Sequence, residues 1–504
     1  MKKFSILLNK LKKEIVSHPI IYFILGIVII LASFVRLYRL NQILGFYYDQ
    51  GRDALVIWDL IHKGKFFLIG PTTGIAGIFR GPYYYYLIAP FYLLGGGNPV
   101  WPSVFLALTS IAAIVLIYYL GATIISREAG LFAAMISSFS FYVVMASRWL
   151  SNPTPMLLLS VILIWMMIKV TQGKTKVWPV ISAICGLSLF CFGSSGELFY
   201  FLALAIFAVW QYKNLPKGKI LLMTIIVFFL TFAPLLFFDI KHEGILRKNL
   251  GNFVSGEKNF QLFDKRTVKD RFELYYDVFT NKIFDYRGRH EVEILLVIGI
   301  AFICFFSKTF TNKKAMVVLL LLTSGIFGLL FFRGNYGIIY DYYLTGYYLI
   351  FILLFAFTLG YLWKYRLGKI FVLIFFFYFM RQNGVLLWNK LNDRIDGTEA
   401  IYFGNQKQAI DWIYQDSSGK DFNVDVYVPP VIPYAYDYLF KWYGKRVYKY
   451  QPVEKQVSLL YTLYEVDPPH PERLNAWLAR QKGIGRVEKE EKFGGITVQR
   501  RNRI

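Results

Sequence analysis

Apolar runs dominate this chain, and they are too long and too numerous for a soluble core. They lie at 19–37, 101–120, 127–146, 154–171, 177–193, 197–212, 219–238, 291–307, 314–332, 340–362 and 367–387. A membrane-crossing helix needs roughly 17–25 apolar residues, so the pattern predicts a polytopic α-helical membrane protein of roughly 11 to 13 spans. One further apolar run, Pro82 to Leu94, is short and bounded by Gly81-Pro82 and by Gly95-Gly96-Gly97-Asn98-Pro99. That length predicts an interfacial or re-entrant helix rather than a span.

The polar positions then set the direction of each span. If 82–94 does not cross, one side receives Lys2, Lys3, Lys10, Lys12, Lys13, Arg127, Lys169, Lys174, Lys176, Lys213, Lys217, Lys219, Lys308, Lys313, Lys314, Lys364, Arg366 and Lys369. The short loops on the other side hold little beyond Arg148 and Arg333. Cytoplasmic loops are the basic ones, so the N-terminus is expected inside the cell, in the cytoplasmic membrane. No small-residue cleavage site follows the first apolar run, so that run is expected to be retained as a span. Three larger segments then face outwards: a first loop (38–82), a middle loop (239–290) and a tail (388–504). The expected organisation is a basic N-terminus (1–18), a transmembrane domain (19–387) and an extracytoplasmic α+β domain (388–504). In the tail, helix-like pieces at Asn405–Tyr414 and Pro471–Gln481 alternate with strand-like ones at Asn423–Val428 and Val457–Val466. A hairpin pattern, Gly485–Arg500, closes it.

Composition adds two points. The net charge of +24 fits basic loops that touch anionic lipid, and no fold for binding nucleic acid is evident. The three cysteines, Cys185, Cys191 and Cys304, lie in apolar runs and read as inert buried thiols.

The candidate chemistry gathers on the expected outer side. Asp49, Arg52 and Asp53 sit in Tyr47-Tyr48-Asp49-Gln50-Gly51-Arg52-Asp53, just after the first span. Arg80 precedes Gly81-Pro82-Tyr83-Tyr84-Tyr85-Tyr86, and Arg148 and Asn152 lie in Ser147-Arg148-Trp149-Leu150-Ser151-Asn152-Pro153, just after the third long run. Glu197 starts a later outer turn, while Arg333 and Asp341 flank Gly334-Asn335-Tyr336-Gly337. Ionisable groups are costly inside hydrocarbon, so a cluster at its boundary marks a functional site. A carboxylate there suits a general base, and arginines suit a phosphate through paired, charge-assisted bonds. Each arginine taken alone reads more readily as a snorkelling side chain or a partner of lipid phosphate. No Walker loop, HExxH helix or dinucleotide fingerprint is present, and the histidines are scattered. The energy for any transfer would therefore arrive with a lipid-linked substrate. The sequence specifies no cofactor and leaves room for a divalent metal.

These motifs, in this order, resemble the GT-C membrane glycosyltransferases. The resemblance is to the protein O-mannosyltransferase and aminoarabinose-transferase group (glycosyltransferase family 39-like), including the rhizobial lipopolysaccharide glycosyltransferase-like domain. It covers about 15–390 and is best over 40–160. Relatives often carry Asp-Glu where this chain has Asp49-Gln50, and Lys-Pro-Pro or His-Pro-Pro where it has Arg80-Gly81-Pro82. The resemblance implies transfer of a sugar from a polyprenyl-phosphate donor to an acceptor hydroxyl on a glycolipid, polysaccharide or protein, with inversion. It implies Asp49 as base, with Arg80 and Arg148 or Arg333 on the donor phosphate. Arg52, Asp53, Tyr84, Asn152, Glu197, Asp341 and Tyr342 would support or contact substrate. A flippase for lipid-linked glycans and an inactive scaffold of the same fold are the other readings. Gln50 in place of a second acid keeps the scaffold open.

Overall fold

The computed structural model describes residues 12–75, 77–255, 265–332, 339–429 and 432–504. Its membrane part begins with α1 (Pro19–Leu37) and ends with α16 (Arg366–Leu391). Between them run α2 (Tyr48–Lys63), α3 (Tyr83–Leu94), α4 (Val100–Ile124), α5 (Arg127–Phe139), α6 (Phe141–Arg148), α7 (Met156–Thr171), α8 (Trp178–Leu187) and α9 (Tyr200–Trp210). Then follow α10 (Gly218–Lys241), α11 (Ile245–Ser255), α12 (Lys265–Asn281), α13 (Arg289–Thr311), α14 (Lys313–Phe331) and α15 (Thr345–Leu362).

Among the described residues, eight helical segments are long and apolar enough to cross a membrane. A ninth forms if α5 and α6 make one span, and these two meet at a 62° bend. Ser140 caps the end of α5 and opens α6, and the Phe141 N–H donates to Asn383 Oδ1 across the bundle, 2.8 Å. The runs expected at 154–171 and 197–212 are helical but shorter, as Met156–Thr171 and Gly196–Trp210. Helix α15 is buried along nearly its whole length, packed on α5 and α7, and forms the centre of the bundle. Helix α10 buries none of its apolar side chains fully, as a helix at the lipid boundary does.

The segment Pro82–Leu94 does not meet the length of a span. It forms the 12-residue helix α3, with Pro90 inside it and Gly95 at its end. Helix α3 lies against α4 and α2 and buries Tyr84, Tyr85, Ile88, Ala89 and Tyr92.

The tail is a small α+β unit. It contains α17 (Phe403–Ser417), β1 (Asn423–Tyr427), α18 (Tyr434–Leu439), β2 (Leu459–Glu465), α19 (Pro471–Lys482), β3 (Gly485–Phe493) and β4 (Ile496–Arg503). The sheet runs in the order β1-β2-β4-β3, with β1 parallel to β2 and the other pairs antiparallel. The sequence pattern missed α18 and the wide helical turn Phe440–Tyr448 that follows it. Their short, tyrosine-rich stretches lack a sustained period. Yet α18 packs directly on α2. The contact needs Gly51, where a Cβ would stand 2.3 Å from the Ala435 nitrogen. The Leu44 carbonyl also accepts from the Phe403 N–H at 2.9 Å, and the Phe46 carbonyl from Gln406 Nε2 at 2.8 Å. The first loop and the tail are one packed unit.

Candidate active site

Helix α2 follows α1 after a short helical turn, Leu40–Ile43, and carries the acid cluster on its first turns. Its start is fixed by Gln50, whose Oε1 accepts from the Tyr47 N–H at 3.1 Å, while its Nε2 donates to the Leu150 carbonyl at 3.1 Å. A carboxylate at position 50 could make the first bond but not donate the second. The position where relatives often hold a second acid is used here to tie α2 to the turn after α6.

Arg52 organises the two acids. Its Nη1 lies 2.9 Å from Asp49 Oδ1, and its Nε and Nη2 donate to Asp53 Oδ1 at 3.0 and 2.8 Å. Nη1 also donates to Thr72 Oγ1 at 2.9 Å. The Tyr85 hydroxyl donates to Asp53 Oδ1 at 2.9 Å. The two carboxylates are therefore unequal. The Asp49 side chain is 61 % exposed and the Asp53 side chain 9 %. Burial pushes the Asp53 carboxyl up to about 6, while Arg52 and the Tyr85 hydroxyl pull it the other way.

Arg80 is delivered from the opposite wall. The loop 70–81 folds back on itself, with the Gly70 N–H donating to the Arg80 carbonyl at 2.7 Å and the Arg80 N–H to Pro71 O at 3.1 Å. The Arg80 guanidinium donates to the Gly193 carbonyl and lies 3.5 Å from Ser194 Oγ. The π-helical turn Ser188–Phe192 presents that carbonyl. Burial pulls the Arg80 pKa below its ordinary value, and the charge of Glu197 acts in the opposite sense.

These groups line one cavity of about 380 Å³. Asp49, Arg52, Asp53, Arg80, Asn152 and Tyr342, all singled out from the sequence, border it. So do Tyr343, one of the aromatics at 340–343, and Thr72, Trp149 and Ser194, whose residue types carried no signal in the sequence. Asn152 Nδ2 donates to the Phe192 carbonyl at 3.0 Å. Tyr342 stands edge-on to Trp149 at 5.6 Å and stacks on Tyr340 at 5.6 Å, giving the cavity an aromatic wall.

Four expected residues stand elsewhere. Arg148 donates to the Val35 carbonyl at 2.9 Å and to the Tyr38 carbonyl at 3.1 Å, closing the C-terminal end of α1. Those carbonyls lack helical partners, which explains the attraction of a cation there. Glu197 is fully buried and accepts from the N–H groups of Ser194 and Gly346 at 2.7 and 2.8 Å. It braces the Gly193-Ser194 turn under Arg80. Tyr84 is buried in α3 beside Tyr85. Asp341 pairs with Lys282, Nζ to Oδ2 2.8 Å, and accepts from the Tyr348 hydroxyl at 2.7 Å. Arg333 lies outside the described residues. Among the described residues, no group of three or more His, Cys, Asp or Glu is placed to hold a metal ion.

This bundle, with an acid-bearing helix after the first span, is that of a multi-pass membrane protein of the GT-C glycosyltransferase fold. Residues 80–238 match the family described as dolichyl-phosphate-mannose-protein mannosyltransferase. The fold is similar to ArnT from Cupriavidus metallidurans bound to undecaprenyl phosphate, with 11 % identity, 95 % of this chain and 97 % of that one covered, and a TM-score of 0.58. The same enzyme in the apo state gives 10 % identity, the same coverage and a TM-score of 0.57. The archaeal oligosaccharyltransferase AglB from Archaeoglobus fulgidus, in complex with an inhibitory peptide and a dolichol-phosphate, is more remote. It gives 12 % identity, 92 % and 72 % coverage and a TM-score of 0.46. No curated protein matches the chain by sequence.

Proposed function

We propose that the protein transfers a sugar from a polyprenyl-phosphate donor to an acceptor hydroxyl at the outer face of the cytoplasmic membrane. The observation that carries this reading is the single cavity joining an accessible carboxylate, Asp49, to a cation on the facing wall, Arg80. The undecaprenyl phosphate bound to ArnT supports a polyprenyl-phosphate donor.

In this reading Asp49 takes the acceptor proton as the hydroxyl oxygen attacks the sugar carbon. The carbon–oxygen bond to the donor phosphate breaks and the sugar carbon inverts. Arg80 holds that phosphate and stabilises the charge it gains as it leaves. Arg52 stays between the acids, so Asp49 is oriented while Asp53 remains buried and held by Tyr85. Trp149 and Tyr342 offer flat apolar faces to the sugar.

The test uses the full chain in lipid vesicles with a radiolabelled polyprenyl-phosphate hexose and a bacterial envelope glycan extract. Release of polyprenyl phosphate with label in the glycan fraction is expected, and Asp49→Asn should bind donor yet release none. Turnover by Asp49→Asn at the wild-type rate would remove Asp49 as the base. Label that crosses the bilayer still attached to the lipid would favour a flippase.

A further inference from the structure

The wide turn Phe440–Tyr448 of the tail is held against the boundary where α4 enters the membrane. The Tyr438 hydroxyl, just before the turn, donates to the Gly97 carbonyl at 2.5 Å, and Trp442 Nε1 to the Gly96 carbonyl at 2.8 Å. Arg446 Nη1 donates to the Gly96 carbonyl at 2.5 Å and lies 3.3 Å from that of Gly95. This approach depends on glycine, because Gly96 has a φ of 57° and a Cβ on it would stand 1.5 Å from Arg446 Nη1. Arg446 is therefore committed to the junction between α3 and α4, and it fixes the depth of the turn.

The other cations here are not neutralised. Lys63, Lys65 and Lys441 share one carboxylate, Asp59, at 2.9, 3.5 and 3.7 Å. Lys445 and Lys449 are exposed, and among the described residues neither makes an ion pair. Lys449 Nζ donates to the Arg446 carbonyl at 2.8 Å, which leaves its charge unopposed. Beside these lysines the surface is apolar. Leu93, Leu94 and Trp101 are 62, 68 and 51 % exposed. Leu93 borders the same cleft as Lys445, and a Cβ on Gly95 would stand 2.5 Å from the Trp101 ring. A tryptophan at the entry of a span marks headgroup depth. A hydrated acidic polymer would use the lysines and leave Leu93, Leu94 and Trp101 in water. An anionic lipid satisfies both, with its chains over the apolar side chains and its phosphate on the lysines.

We propose that the turn Phe440–Tyr448 is a docking surface for anionic membrane lipid, with Lys445 and Lys449 paired to headgroup phosphate at the boundary of α4. The turn follows directly on α18, which packs on α2, so lipid bound there also holds the cover of the acid-bearing helix. The contact is independent of the chemistry in the first cavity.

The test places the full chain in lipid nanodiscs of phosphatidylcholine with increasing phosphatidylglycerol. A fluorophore is attached at Val447→Cys, and a fixed fraction of the phosphatidylcholine carries a nitroxide quencher on its headgroup. The background is Cys304→Ser, because Cys185 and Cys191 are buried. Quenching should be weak in phosphatidylcholine alone and rise with phosphatidylglycerol. Salt at about 1 M should reverse the rise. Each cation near an anionic surface strengthens the contact about fivefold. Half-maximal quenching should therefore need about fivefold more phosphatidylglycerol in Lys445→Gln, and a similar shift is expected for Lys449→Gln. Both positions are exposed, so the melting temperature in phosphatidylcholine should not change. Quenching that ignores phosphatidylglycerol, wild-type titrations in both variants, or relief of quenching by a soluble polyuronate would overturn the proposal.

Discussion

Two ion-pair clusters in this molecule both join a cation to aspartate beside tyrosine and reach opposite outcomes. Around Arg52, the acids border a cavity and one of them, Asp49, is mostly exposed. Around Lys282, the cation is fully buried, sits 4.2 Å from the Tyr348 ring centroid and 4.8 Å from that of Tyr142, and is paired with Asp341. The Lys282 ammonium is enclosed by its own partners and keeps no face for a ligand. It joins the middle loop to the start of α15. The lesson is that charge near the membrane boundary does not make a site. Charge with an unfilled side does.

The widest gap between the clusters should come from Asp49→Asn. General-base loss costs about 10²- to 10⁴-fold in turnover, with no change in melting temperature because the side chain is mostly solvated. Assaying Lys282→Met alongside it should reverse the pattern. The Asp341 carboxylate left behind is 42 % exposed, so the loss should fall below the roughly 3–5 kcal/mol of a fully buried pair; thermal stability should still drop while the turnover of the remaining folded protein persists. The arginines provide the next contrast. Arg80→Ala should raise the donor KM by roughly ten- to a hundredfold, the worth of one bond to a charged group. Arg148→Ala should lower the melting temperature and leave that KM alone. A donor KM that shifts equally in both would erase the distinction drawn between them.

The smallest effect should be on pH. With Asp53 raised to about 6, its charge and its hold on Arg52 fade as the pH falls through that value. Turnover should then decline with a midpoint near 6. The folded pKa lies above the unfolded value of 3.8, so between those limits the folded state binds the extra proton. This group therefore adds stability as the pH falls through 6, and the decline should precede unfolding. A profile measured on Asp53→Asn should lack the inflection.

The spans were legible because hydropathy records how much apolar surface a segment carries. The 62° bend between α5 and α6 was not, since composition is blind to direction and Ser140 reads as an ordinary small residue. The same limit applies to the site. Asp49, Arg52, Asp53 and Arg80 stood out as rare charges after an apolar run. Arg148 stood out equally, because an arginine at a helix end reads alike whether it faces a ligand or closes neighbouring carbonyls. Thr72, Ser194 and the Tyr85 bond to Asp53 depend on how distant loops fold together. Gln50 read as a missing acid, and only its bonds to Tyr47 and Leu150 give it a use.

The seat that Gly51 offers to Ala435 has a consequence in time. The two residues are separated by most of the chain, and synthesis proceeds at about 5–20 residues per second. Helix α2 must therefore wait on the order of half a minute before its cover is made. During that interval the acid-bearing helix is incomplete, and a ribosome that stops early leaves an unfinished first loop. The tail thus covers the helix that carries the acids, and a chain that stops before Ala435 leaves that helix uncovered.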